Sequence, residues 1–311
     1  MSHKKSLKDI LHDDDFYIDF HPQCFWPPQP AIEDAPFVLF GVPLDETTVS
    51  RPGSRYGPTA IRAATVNFDT YSERADVDLE DVLIHDLGDI LIACGNIPET
   101  LRRVEVILTD LLKAKKIPVM LGGEHTVTFG AAKALENAAI LDFDAHMDAR
   151  NEYPEGMRFS HATFMRRLSE VISAERIFQV GIRTNCKEEL EFARSSGLSF
   201  ISSYEIYRNG PTKAVERIRD FLRDFSKVYL SIDIDVLDTP YAPGTTYPSP
   251  EGISLSTLLD ILMKTVDKKV IGFDLVEVSP PYDFGNTTAT NATKIILETI
   301  AFIHKAHLQA H

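Results

Sequence analysis

The chain has 311 residues, 44% of them apolar and 25% charged, a composition that supports a sizeable core and excludes disorder as the default state. Its net charge of −14 repels polyphosphates, so neither nucleic acid nor an anionic membrane is expected as a partner, and cations are the natural guests. Three cysteines, Cys24, Cys94 and Cys186, are too few and too far apart for a disulfide framework or a thiolate zinc site; with no apolar leader and no run of about 18 apolar residues, a cytoplasmic setting is expected.

In chain order, residues 1–35 are charged, then aromatic and proline-rich (HPQCFWPPQP, 21–30), which predicts an arm lying on the surface of a single domain spanning 36–311. Short β-rich apolar runs then alternate with longer helical patterns. Eight strands are expected, at 36–41, 82–86, 117–121, 138–143, 176–182, 198–201, 227–233 and 269–278. Helical patterns at 98–115, 126–136, 187–195, 211–224, 254–266 and 290–304 lie between most of them, and the segment 45–81 reads as loop holding one helix that starts at Pro58. Several strands are continuously apolar, as a parallel sheet covered on both faces requires. The chain therefore reads as one α/β domain, a three-layer αβα arrangement around a mostly parallel sheet of about eight strands.

In open α/β sheets ligands bind beyond the carboxyl ends of the strands, and the polar clusters fall there. LGGEHT (121–126) follows the third strand, DAHMD (144–148) follows the fourth, SIDIDVLD (231–238) ends the seventh, and VEVSPP (276–281) ends the eighth. If extended geometry continues past the fourth strand, the spacing of two puts Asp144, His146 and Asp148 on one side, where their lone pairs converge. Without a cation such crowding is costly, because close carboxylates repel and raise each other's pKa. A solvated acidic loop with a helix N-cap would explain this segment alone. Asp233 and Asp235 repeat the device after a run that should be buried, whereas Asp238 reads as an ordinary loop or cap aspartate. A lone His125 would pass for a core histidine, but Gly122 and Gly123 before it permit a close backbone approach and a tight turn that delivers the imidazole to a site.

Together, His125, Asp144, His146, Asp148, Asp233 and Asp235 supply four carboxylates and two imidazoles, and four negative charges balance two divalent ions. Oxygen-rich ligation without thiolate favours Mn²⁺ over Zn²⁺. Two such ions would share a water and lower its pKa toward neutrality, giving a hydrolytic nucleophile.

GGEH, DAHMD and SIDID, in this order, resemble the marks of the ureohydrolase family (arginase, agmatinase and relatives), over roughly residues 36–305. The resemblance implies an arginase-like fold, two Mn²⁺ per subunit held by those six residues, and hydrolysis of a guanidino compound to urea and an amine. His161, in FSHA, matches the family's proton-shuttling histidine, although it would also suit a helix N-terminus; Ala162 stands where many relatives carry Gly. Glu277, in VEVSPP, matches the glutamate that grips the substrate guanidinium, which offers a buried carboxylate paired donors. Asp148 or a bound water is implied as the group that hands a proton to the leaving amine. Asp142, two residues before Asp144, has no metal in the family pattern and is taken as a supporting residue.

The segments 41–62, 235–252 and 276–283 are closer to agmatinases than to arginases, and the arginase segment that holds an amino acid's carboxylate and amino group is replaced by ARNEY (149–153). Agmatine, hydrolysed to urea and putrescine, is the expected substrate, with aminopropylagmatine, guanidinobutyrate or arginine as alternatives. Glu152 or Glu155 would suit agmatine's ammonium. Arg150 would prefer a substrate carboxylate if it faces the tail, or else it pairs with a neighbouring acid. Two readings of another kind are a two-metal phosphoesterase, which should aim Arg or Lys at phosphate, and an inactive metal-binding regulatory or structural subunit. The resemblance also implies a homotrimer or homohexamer.

Overall fold

The computed structural model describes residues 18–19, 24–26, 28–135 and 137–309. Among them, nine strands form one sheet: β1 (Ile18–Asp19), β2 (Phe37–Val42), β5 (Ile84–Ile90), β6 (Ile117–Gly122), β7 (Ala139–Phe143), β8 (Ile177–Ile182), β9 (Ser199–Ser202), β10 (Val228–Asp233) and β11 (Val270–Val276). Their spatial order is β1-β5-β2-β6-β11-β10-β7-β8-β9. All neighbours are parallel except β1, which runs antiparallel against β5 with Ile18 opposite Ile90. The eight expected strands are all present. The ninth is two residues long, too short to carry a periodic signal, and it covers an otherwise open sheet edge.

Alternation splits the strand residues between two cores. Phe37 and Leu39 of β2 join one, Val38, Phe40 and Val42 the other. The first core is closed by α6 (Pro211–Leu222), α7 (Leu255–Thr265) and α8 (Thr287–Leu308), the second chiefly by α2 (Ile97–Lys113) and α3 (Phe164–Ile172). Both faces of the sheet are therefore covered, which explains why its central strands are buried at nearly every position. The remaining helices are α1 (Gly57–Ala64), α4 (Lys187–Ser196) and α5 (Ser203–Asn209). The expected helix at 126–136 is a 3₁₀ turn over His125–Ala131, consistent with the β-branched Thr126-Val127-Thr128 run and Gly130, which favour an α-helix poorly.

The segment 45–81 adds a small hairpin, β3 (Tyr71–Ser72) with β4 (Val77–Asp78). Phe25 and Trp26, expected on a surface arm, are buried in the first core, and the Phe25 N–H donates to Asp86 at 2.7 Å. Most of the remaining arm lies outside the described residues. No described helix is long and apolar enough to cross a membrane.

Candidate metal centre and active-site pocket

The four polar segments leave β6, β11, β10 and β7, which are consecutive in the sheet. Parallel pairing brings their carboxyl ends to one edge, so residues far apart in sequence meet there. His125 Nδ1 lies 3.1 Å from Asp144 Oδ2, 3.3 Å from Asp233 Oδ2 and 3.9 Å from Asp148 Oδ2. His146 Nδ1 lies 2.9 Å from Asp235 Oδ2 and 3.6 Å from Asp144 Oδ1. Two groups result, His125-Asp144-Asp148 and Asp144-His146-Asp235, with Asp144 common to both. All six residues expected as ligands converge.

The route to convergence differs from the expected one. Extended alternation does not hold through DAHMD, because Asp148 adopts a left-handed φ of 50°. Glu277 at the end of β11 does the same, with φ 67°. Such conformations strain non-glycine residues and persist only where the surroundings impose them. Gly123 answers a different constraint: a β-carbon there would stand 1.9 Å from the Leu44 carbonyl oxygen. Its N–H donates to Val42 O and its carbonyl accepts from Glu277 N, both at 2.8 Å, so it threads between the exits of β2 and β11.

The donor set fits a pair of cations. His125 Nε2 is 2.9 Å from Ser231 Oγ, which donates to Asp274 at 2.7 Å. The serine oxygen must therefore accept from Nε2–H, which leaves the Nδ1 lone pair facing Asp144. Nδ1 of His125 and Oδ2 of Asp144 are both buried without a hydrogen-bond partner among the described residues, an arrangement that costs free energy unless something else binds them. Burial, then repulsion from Asp144 and Asp235 respectively, pushes the carboxyls of Asp148 and Asp233 well above the usual range. A divalent ion would relieve both penalties.

Asp142 sits beneath the cluster. Its Oδ1 is 3.6 Å from His125 Nε2, its Oδ2 accepts from Gln179 at 2.9 Å, and burial with the charge of Asp144 raises its pKa to about 8. It supports the imidazole from the side away from the ligand cluster.

A cavity of about 90 Å³ opens over the cluster, and Val49, Arg150, His161, Glu189, Tyr247 and Glu277 contribute to its walls. Glu277 Oε1 accepts the His125 N–H at 2.7 Å, Thr246 Oγ1 donates to its Oε2, and His161 Nδ1 stands 3.7 Å from Oε1. Burial raises the Glu277 pKa, but His161, Thr246 and the His125 amide outweigh it and hold the carboxylate below its ordinary value. For His161 burial lowers the pKa, and the adjacent Glu277 carboxylate more than compensates.

Arg150 stacks on Tyr153, 4.3 Å from the ring centre, with its Nε 3.9 Å from Glu189. Glu152 and Glu155 do not line the cavity. Both are exposed, and Glu152 accepts from Gly156 N instead. The acid that reaches the wall is Glu189, which also accepts the Ala149 and Cys186 amides.

Several positioning residues escaped the sequence reading. Glu124, inside GGEH, accepts from the Thr47 amide and hydroxyl and from Thr48 Oγ1, at 2.6–3.2 Å. It clamps the loop whose Val49 N–H approaches His161 Nε2 at 3.4 Å. Burial raises its pKa to about 7. Arg183 donates to the carbonyls of Asp235, Leu237 and Ser249 at 2.6–3.2 Å, pinning the exits of β8 and β10 together. Glu189 follows Cys186 at helix-capping spacing, a signal a sequence can carry. Arg183 has none, because its acceptors come from distant segments.

A mostly parallel α/β sheet whose four central strands end in one imidazole–carboxylate cluster defines the arginase fold. The family model described as "Arginase family" matches residues 35–301. The chain is 40% identical to the N(1)-aminopropylagmatine ureohydrolase of Thermococcus kodakarensis over 276 residues, 88% of this chain and 92% of that one. It is 38% identical to the agmatinase of Bacillus subtilis over 282 residues, 88% and 93% of the two chains. The crystal structure of agmatine ureohydrolase from Thermoplasma volcanium superposes with a TM-score of 0.87 at 34% identity, covering 94% of this chain and 98% of that one. The chain belongs to the arginase family, as an agmatinase-like ureohydrolase.

Proposed function

We propose that the protein hydrolyses the guanidino group of agmatine to urea and putrescine with two Mn²⁺ ions. The observation that carries this reading is the convergence of His125, Asp144, His146, Asp148, Asp233 and Asp235 under a cavity walled by Glu277. Four carboxylates, two imidazoles and no thiolate suit Mn²⁺ better than Zn²⁺. Bound there, the ions supply Lewis acidity that makes water a nucleophile near neutral pH.

Glu277, kept ionised by its three donors, receives the paired N–H groups of the substrate guanidinium and aims its central carbon at the cluster. Asp148 hands a proton to the departing amine. His161, at the cavity wall beside Glu277, relays protons to solvent. The guanidinium end is selected by charge at Glu277, because the ligand carboxylates are balanced by the ions, and the other charged carboxylate and guanidinium groups among the described wall residues, Glu189 and Arg150, offset each other. That balance also disfavours the phosphoesterase alternative. Because Arg150 is engaged by Tyr153 and Glu189, a substrate with a cationic or neutral tail is favoured over one with a carboxylate. Comparing kcat/KM for agmatine, aminopropylagmatine, guanidinobutyrate and arginine tests this reading, and preference for a carboxylated substrate would overturn it.

A further inference from the structure

The amino ends of the same four strands border a second cavity. It measures about 730 Å³ and is lined at the starts of β6, β7, β10 and β11 by Ile117, Ala138, Lys227 and Val270. Six of the twelve lysines among the described residues line it: Lys113, Lys115, Lys116, Lys133, Lys227 and Lys268. The only acid among its described lining residues is Glu105, 3.2 Å from Lys133. A chain of net charge −14 thus gathers five net positive charges, counted over the lysines and acids of the described lining residues, in one concavity.

Local structure explains part of this. Lys113 ends α2 and Lys115 and Lys116 follow it, where cations complement the helix dipole, and Lys116 donates to the Glu33 and Ala35 carbonyls at 2.9 and 2.8 Å. It does not explain Lys133, Lys227 and Lys268, which arrive from three separate connecting segments. Lys115, Lys227 and Lys268 make no side-chain hydrogen bond or ion pair among the described residues, in contrast to Lys133, Lys213 and Lys294, which have acidic partners. Unpaired ammonium groups crowded together repel one another, and an anion removes that repulsion. Leu112, Ala134 and Ile271 add apolar wall between the charges. The volume is that of an ordinary small-molecule site.

We propose that this cavity binds a small phosphate-bearing anion with an apolar portion, of the nucleotide class, at the end of the sheet opposite the metal centre. Lysines suit phosphate as mobile point charges that do not require bidentate geometry. A concave site of this size fits a small molecule better than the broad face that an acidic protein partner would need.

The test is calorimetric titration of the Mn²⁺-loaded full chain with ATP, with inorganic tripolyphosphate and, as a carboxylate control, with citrate. The Lys227→Gln/Lys268→Gln double variant is run alongside, its folding checked by circular dichroism and thermal melting. The expected result is that ATP and tripolyphosphate both bind, ATP more tightly, and that both weaken about tenfold in the variant and at raised salt. Absence of binding, equal binding by a folded variant, or a preference for citrate would overturn the proposal. A change in sedimentation of the variant without phosphate binding would mark the patch as a contact between copies and would overturn it too.

Discussion

His125 Nδ1 and Asp144 Oδ2 face each other at 3.1 Å, fully buried, and neither has a hydrogen-bond partner among the described residues. The pair is expected to need a cation. Chelation should lower the unfolding temperature, and restored Mn²⁺ at a hundred times its Kd should return about 2.7 kcal/mol. Asp144→Ala, which removes the carboxylate common to both groups, should abolish that shift and the retention of metal measured by elemental analysis. A variant that kept two metal equivalents would remove Asp144 from the centre.

The contact between His161 and Glu277 makes a pH prediction. The folded His161 value is raised above its unfolded one, so this group's contribution to stability is full below the unfolded pKa of about 6.5 and is lost as pH rises through the folded midpoint. In Glu277→Gln the burial that opposes charge remains while the partner is gone, so the midpoint should fall below the wild-type value. NMR titration of the His161 ring reads this directly, and an unchanged midpoint would uncouple the two residues.

Gly123 and Gly95 should respond differently to alanine. At Gly123 the new β-carbon meets Leu44 backbone, so Gly123→Ala should cost several kcal/mol, about 3 or more, and disturb the site. Gly95 has φ +70° but open space around it, and its substitution should cost only about 1 kcal/mol. Urea denaturation of both variants checks the contrast.

Arg62 is fully buried, with Nε and Nη2 on Asp86 at 2.8 and 2.9 Å and Nη1 on Asp89 at 2.6 Å. Arg62→Met removes one side of a buried network and strands two carboxylates. It should destabilise the protein by about 3–5 kcal/mol. A loss below about 1 kcal/mol would show that solvent reaches the pair.

The sheet was legible because its strands are buried on both faces and interrupted by amphipathic helices, a pattern local enough to survive in one sequence. The ligand set was legible because each strand exit carries its own short motif. What lies between motifs was less so. Asp148 reaches the cluster through a left-handed turn rather than by alternation, and a spacing argument cannot see a change of φ. Glu189 reaches the cavity wall through helix capping, forty residues beyond the Ala149 amide it accepts, whereas Glu152 and Glu155, adjacent in sequence, stay exposed outside it. Phe25 and Trp26 lie in a proline-rich stretch that reads as surface, but the buried Asp86 anchors the Phe25 amide. Such contacts depend on the assembled fold.

Urea release by the metal-loaded full chain is the direct test of two-metal guanidino hydrolysis. After Mn²⁺ loading the protein should release urea from agmatine with the highest kcat/KM of the four guanidino compounds, EDTA should abolish the release, and Mn²⁺ should restore it. Silence toward all four compounds at full metal occupancy would contradict the account and point instead to an inactive metal-binding subunit.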